Sequence, residues 1–313
     1  MTRREFLAAV PMGVLATVTA AAEAVMLPVI DTHQHLWDLT KLAPPWIKGS
    51  GPPLEASFTN TEYAEATKGL NVVKAVYMEV GMAVADQQRE ADMLIEICKS
   101  GTTATCAAVL AGNPASDTFA KYVTPFKDSK YVKGIRHMLH VDGVVAEDGL
   151  KPEFLKGLNL LGELGLSFDL CIRPHELPQI VSIVKACPGT RFILDHCGNP
   201  QANFNAKQTE NWKAGLGSLA ALPNVVCKVS GIIANGFKKG EWTAEQLAPY
   251  VNIVLDTFGQ DRVMFGGDWP VCLKGGSYSE WLTALRTIVK NRPETEQKKL
   301  FHDNAQKFYK LPA

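Results

Sequence analysis

Three features of this 313-residue chain predict one α/β domain, built as a closed (β/α)8 barrel. Short apolar, β-branched runs alternate with amphipathic segments, as in a parallel sheet joined by crossover helices. Eight such runs occur, and eight at this length favour a closed barrel over a doubly wound sheet. No Gly-x-Gly-x-x-Gly follows the first run and no phosphate loop is present, so the signature of a nucleotide-binding sheet is missing.

The strand-like runs are residues 29–35, 74–80, 103–110, 132–138, 166–172, 191–196, 224–230 and 262–268. Between the second and third, residues 86–99 place Ala91, Leu94, Ile95 and Cys98 at helical spacing, and Gly101 supplies a stop signal. Residues 152–165 repeat the pattern around Phe154, Leu155, Leu158, Leu161 and Leu164. Helical patterns continue at 177–187, 214–222, 244–258 and 278–289, and residues 298–311 read as a closing helix. The stretch 39–57 is rich in Pro and Gly, carries Trp46 and lacks periodicity. A long loop after the first strand of a TIM barrel is expected to serve as a lid or pocket wall.

Apolar residues make up 46% of the chain, ample for a large core. Lys plus Arg and Asp plus Glu each number 32, so the net charge of zero points away from nucleic acid and anionic membrane surfaces. A small-molecule substrate is the expected partner. Residues 1–24 read as a targeting segment: Arg3-Arg4 is a twin-arginine pattern, an apolar run spans 6–22, and Ala22-Glu23-Ala24 is a small-x-small cleavage site. That run is shorter than the roughly 20 residues a membrane span needs. Cleavage after Ala24 and export to the periplasm are expected, with residues 25–313 as the barrel and no stable membrane insertion afterwards. The seven cysteines are odd in number and form no Cys-x-x-Cys, and they read as buried small hydrophobes.

The chemistry concentrates at the strand ends. Alternation along the first strand is expected to set Asp31, His33 and His35 on one face, with Thr32 and Gln34 on the other. Two imidazoles on one face can converge on a single cation. The second run ends near Glu79, the fourth at Arg136 and His137, the sixth at Asp195 and His196, and the eighth at Asp268, followed by Trp269-Pro270. Catalytic groups in such barrels come from the C-terminal ends of several strands. Taken singly, Arg136 reads equally well as an ion-pair partner, Glu79 as a helix-start acid and His196 as a capped loop residue. Their joint placement favours a site. Gly266-Gly267, just before Asp268, are expected to leave room for substrate or water.

Four motifs carry a resemblance: Asp31-x-His33-x-His35-x-Trp37, Lys133-Gly134-Ile135-Arg136-His137, Asp195-His196-Cys197-Gly198-Asn199-Pro200 and Phe265-Gly266-Gly267-Asp268-Trp269-Pro270. Together they resemble the amidohydrolase superfamily, above all its branch of sugar-lactone and aromatic-pathway lactone hydrolases, such as fuconolactonase and rhamnonolactonase. The likeness extends to the tail, where residues 301–309 echo the family's ending. It implies that His33, His35 and Asp268 surround the reacting centre, with His196 nearby. The chain departs from the two-metal pattern. Strand four lacks a bridging lysine or glutamate at its tip, and strand five lacks a histidine, since His175 lies beyond Pro174. At most one divalent ion is therefore expected, zinc first and manganese next, with a metal-independent route also open.

The expected reaction is hydrolysis of a sugar-acid lactone or similar cyclic ester. Asp268 acts as base on water and His196 assists. Arg136 stabilises the oxyanion or grips a substrate carboxylate. Glu79 and His137 contact the substrate, and Trp37 and Trp269 offer flat walls for a ring. The alternatives are a metal-dependent decarboxylase or amide hydrolase of the same superfamily, and a non-catalytic ligand-binding barrel.

Overall fold

The computed structural model describes residues 26–139 and 146–312. The predicted targeting segment, residues 1–24, lies outside them. Eight strands alternate with helices in the predicted order: β1 (Val29–Gln34), β2 (Val72–Met78), β3 (Thr105–Ala111), β4 (Val132–Arg136), β5 (Ser167–Leu170), β6 (Arg191–Leu194), β7 (Val225–Val229) and β8 (Val263–Phe265). Each pairs in parallel with the next, in the order β1 to β8. The ring closes through backbone bonds from Asp268 N to His33 O and from His35 N to Trp269 O, both 2.8 Å. This is a (β/α)8 barrel.

The helices are α1 (Asn60–Ala66), α2 (Gln87–Ser100), α3 (Phe119–Val123), α4 (Pro152–Glu163), α5 (Leu177–Ala186), α6 (Ala206–Ala220), α7 (Ala244–Phe258), α8 (Tyr278–Val289), α9 (Glu294–Lys298) and α10 (Asn304–Phe308). Their apolar faces cover the outside of the sheet, where Leu94, Leu158, Ile180, Leu216, Val254 and Leu285 are fully buried or nearly so. Two short helices, α1 and α3, lack the length for a readable period. The sixth begins at Ala206 rather than 214, because Asn205 and Gln208 form a capping box that starts two polar turns earlier than the apolar stripe. The predicted closing helix is broken by a π segment, Lys299–Asp303. Beyond it, Ala305, Tyr309 and Leu311 pack with Ile30, Val76, Val109, Ile193 and Met264 and plug the base of the lumen.

The register of β1 decides where its polar residues point. Asp31 pairs with Ala75 and Gln34 with Tyr77, so β1 spends three steps where β2 spends two. The extra residue is a bulge, and it overturns the expectation that Asp31, His33 and His35 share a face. Asp31 turns outward to the helical layer, where its carboxylate accepts from Tyr63 Oη at 2.8 Å and from the backbone N–H of Gly267 at 2.7 Å. His33 turns into the lumen. No disulfide joins the described cysteines, and all but Cys106 are buried, as expected of small core hydrophobes. Among the described residues no helix is long and apolar enough to cross a membrane.

Candidate active site

At the C-terminal mouth of the barrel lies a cavity of about 450 Å³, lined by His35, Arg136, His196 and Asp268 among others. A larger cavity of about 710 Å³ opens at the opposite end, and none of the strand-end residues lines it. Chemistry belongs to the first, since the strand ends aim there.

His33 and His35 stand edge to face, with ring centroids 4.9 Å apart. His35 Nδ1 lies 2.9 Å from the carbonyl of Met78, which fixes a proton on that nitrogen and turns Nε2 toward Asp268. That Nε2 is 3.5 Å from Asp268 Oδ1, and His33 Nε2 is 3.8 Å from the same oxygen. Burial holds the His33 imidazole well below its ordinary pKa, so it stands neutral and able to ligate. His33, His35 and Asp268 thus form one group able to hold a cation, and His33, Asp195 and His196 form a second that shares His33. The donor set, two imidazoles and a carboxylate, suits zinc or manganese.

Beneath the triad the lumen is ionic. Lys228, fully buried on β7, lies 2.5 Å from Asp169 Oδ2 on β5, 3.2 Å from Asp195 Oδ1 and 3.5 Å from His33 Nδ1. Burial alone would raise the Asp195 pKa, but Lys228 and His33 outweigh it and hold the carboxyl well below its usual range. Burial pushes Asp169 up to about 7 against the pull of Lys228. Asp195 is in reach of His33 Nδ1 at 3.5 Å and so orients the ring, as outer partners do for ligating histidines. Ser230 does the same for His196, with Oγ 3.0 Å from Nδ1.

Two site backbones are strained. Asp268 has φ 54° and His196 φ 53°, left-handed values that non-glycine residues rarely adopt. Contrary to the expectation from sequence, Gly266 and Gly267 do not open space for substrate. A Cβ on Gly266 would sit 2.8 Å from His33 Cβ, and one on Gly267 would sit 2.2 Å from the Tyr278 ring. They exist so that β8 can press against β1 and α8.

Other expected residues take different places. Glu79 does not face the cavity. Its Oε1 accepts from Arg136 Nε at 2.6 Å, and its backbone carbonyl accepts from Arg136 Nη2 at 2.7 Å. Arg136 Nη1 lies 3.4 Å from both Asp195 Oδ2 and His33 Nε2. Its donors are committed, so it is a fixed cation in the cavity wall rather than a free carboxylate clamp. His137 leaves the cavity for Phe154 of α4, with centroids 6.1 Å apart, and Met138 lines the wall instead. Trp269 is buried against Phe58 and Tyr63, whereas Trp37 does line the cavity. The loop 39–57 supplies Trp46 to the wall, as expected of it. Sequence reasoning missed Lys228, Asp169 and Ser230. The available signal was a lysine and an aspartate at inward positions of otherwise apolar strands.

The amidohydrolase family profile matches residues 30–311. The L-fucono-1,5-lactonase of Burkholderia multivorans is 28% identical over 291 residues, covering 90% of this chain and 96% of that protein. The L-rhamnono-gamma-lactonase of Scheffersomyces stipitis is 21% identical over 336 residues, covering 90% and 98%. A crystal structure of a Burkholderia multivorans amidohydrolase with bound zinc aligns with TM-score 0.80 and 26% identity, over 91% of this chain and 100% of the other. With a profile spanning nearly the whole barrel, and with paired histidines and an aspartate converging at its mouth, the chain belongs to the amidohydrolase family.

Proposed function

We propose that this enzyme opens a lactone of a sugar acid by attack of water. The observation that carries the reading is the convergence of His35, His196 and Asp268 on one cavity, with His33 packed beside them, in a chain with relatives named as lactonases. Ring opening needs a base for water, a cation for the carbonyl oxygen and a proton for the leaving alkoxide.

Asp268 is the base. Its carboxylate lies at the mouth, 4% exposed at the side chain, and takes the proton as water attacks. The Arg136 guanidinium, held by Glu79 and Asp195, offers fixed positive charge to the developing oxyanion without reorganising. His196 is kept below its ordinary pKa by burial, so it is neutral. In the tautomer in which Ser230 Oγ donates to Nδ1, the Nε2–H can hydrogen-bond the departing oxygen, which receives the proton that Asp268 took from water. His33, His35 and Asp268 are the residues that would hold a divalent ion. When bound, such an ion supplies Lewis acidity toward a carbonyl oxygen and lowers the pKa of water. Because the two candidate groups share His33 and Arg136 stands beside it, one ion per chain is the expected stoichiometry.

The test is a pH-indicator screen of purified protein against aldonolactones, with and without chelator, alongside elemental analysis. Acid release from at least one lactone, with no more than one metal equivalent, is expected. Turnover of an aromatic acid to carbon dioxide in place of lactone opening would overturn the reading. We also propose that residues 1–24 direct export.

A further inference from the structure

The cavity wall is divided by chemistry. Trp37, Trp46, Val80 and Met138 form an apolar arc beside the ends of β1, β2 and β4, and Asn199, Asn235 and Lys274 form a polar arc beyond β6, β7 and β8. Lys274 ends a single tight turn, Val271–Lys274, that starts three residues after Asp268 and is pinned by the buried Cys272. It is exposed and has no ion pair among the described residues. Asp268 is the one acidic residue among those described as lining the cavity, and the other lining cation, Arg136, is already matched by Glu79 and Asp195. Asn235 donates through Nδ2 to Asn199 Oδ1 at 3.2 Å, and Asn199 donates to the carbonyl of Ile172 at 2.7 Å. This chain of bonds fixes both amides and leaves Asn235 Oδ1 to accept.

We propose that Lys274 is a specificity-determining residue. The substrate carries one free carboxylate on the ring edge that meets the polar arc. Lys274 receives that carboxylate, and Asn235 Oδ1 accepts from a neighbouring hydroxyl. The proposal rests on the lactonase reading and narrows it to the lactone of a dicarboxylic sugar acid. The charge balance carries it: an unmatched cation at the rim of a cavity draws an anionic ligand inward and holds it.

Kinetics on a matched pair provide the test, using a hexaric acid monolactone and the aldonolactone with a CH₂OH in place of its carboxylate. Wild-type enzyme should favour the charged lactone in kcat/KM. Lys274→Met should lower that preference about fivefold, through KM rather than kcat, which is the scale of one partly exposed ion pair. Lys274→Arg should restore it, and added salt should erode it for the charged substrate only. A wild-type preference for the neutral lactone, or an equal loss on both substrates, would overturn the proposal. A second measurement stands apart from turnover: calorimetric binding of the open-chain hexarate dianion to wild type and to Lys274→Met. If neither lactone is hydrolysed but the dianion binds wild type several-fold more tightly, the lactonase reading falls and the anion grip stands. Equal binding to both proteins sinks the grip.

Discussion

Asp268 shows how one residue answers to backbone and chemistry together. Its φ of 54° is a conformation that Asn shares more readily than other side chains, so Asp268→Asn keeps shape and backbone preference while losing basicity. Removing a positioned general base costs about 10²–10⁴ in rate. Asp268→Asn should therefore retain the wild-type circular dichroism and melting curve, yet fall at least about a hundredfold in turnover. Retention of more than about a tenth of the activity would assign Asp268 a structural role, since its loss would then lie outside that range. At this scale the triad was legible because His33, His35 and Asp268 follow β-branched runs, where polar groups have few structural reasons to be. Lys228 and Asp169 were not, because a charge inside a strand reads as a solvent-facing position. Only closure of the barrel turns those positions toward each other.

Elements show a similar division. All eight strands and the long helices with full apolar stripes were readable, and α7 and α8 match the expected bounds. Ends set by polar caps or by packing, such as the start of α6 and the π break before α10, leave no apolar period to read. The join of β2 to α2 yields a test. Glu90 on α2 is buried, and its Oε1 accepts from Tyr77 Oη at 2.7 Å and from Val80 N at 3.2 Å. Burial, helped by the charge of Glu79, pushes its carboxyl from 4.5 up to about 7. A folded-state pKa above the unfolded one means that the folded protein binds this proton more tightly. The resulting stability is fully present below pH 4.5 and lost as pH rises through about 7. Wild type should lose up to about 1.4 kcal/mol per pH unit across that window from this group. Glu90→Gln should flatten that part of the curve. Denaturant melts at pH 5 and pH 8 would show it, and parallel curves for the two proteins would refute the assignment.

The whole molecule separates a reacting mouth from a sealed base, with an ionic layer between them. The plug of Tyr309 and Leu311 below Lys228 leaves the mouth as the route for substrate. The proposed export of this folded unit has a direct check. Mass spectrometry of protein recovered outside the cytoplasm should give a chain beginning at Val25, and an intact N-terminus in the membrane fraction would contradict it. The extra residue in β1 has a genetic corollary. Loss of a single codon between Asp31 and Gln34 would restore plain alternation and rotate everything upstream onto the opposite face. Length and composition would hardly change, and the other seven strands would still close around the shortened one. Mutant libraries sorted by solubility alone should thus accumulate such deletions as well-expressed, inactive barrels.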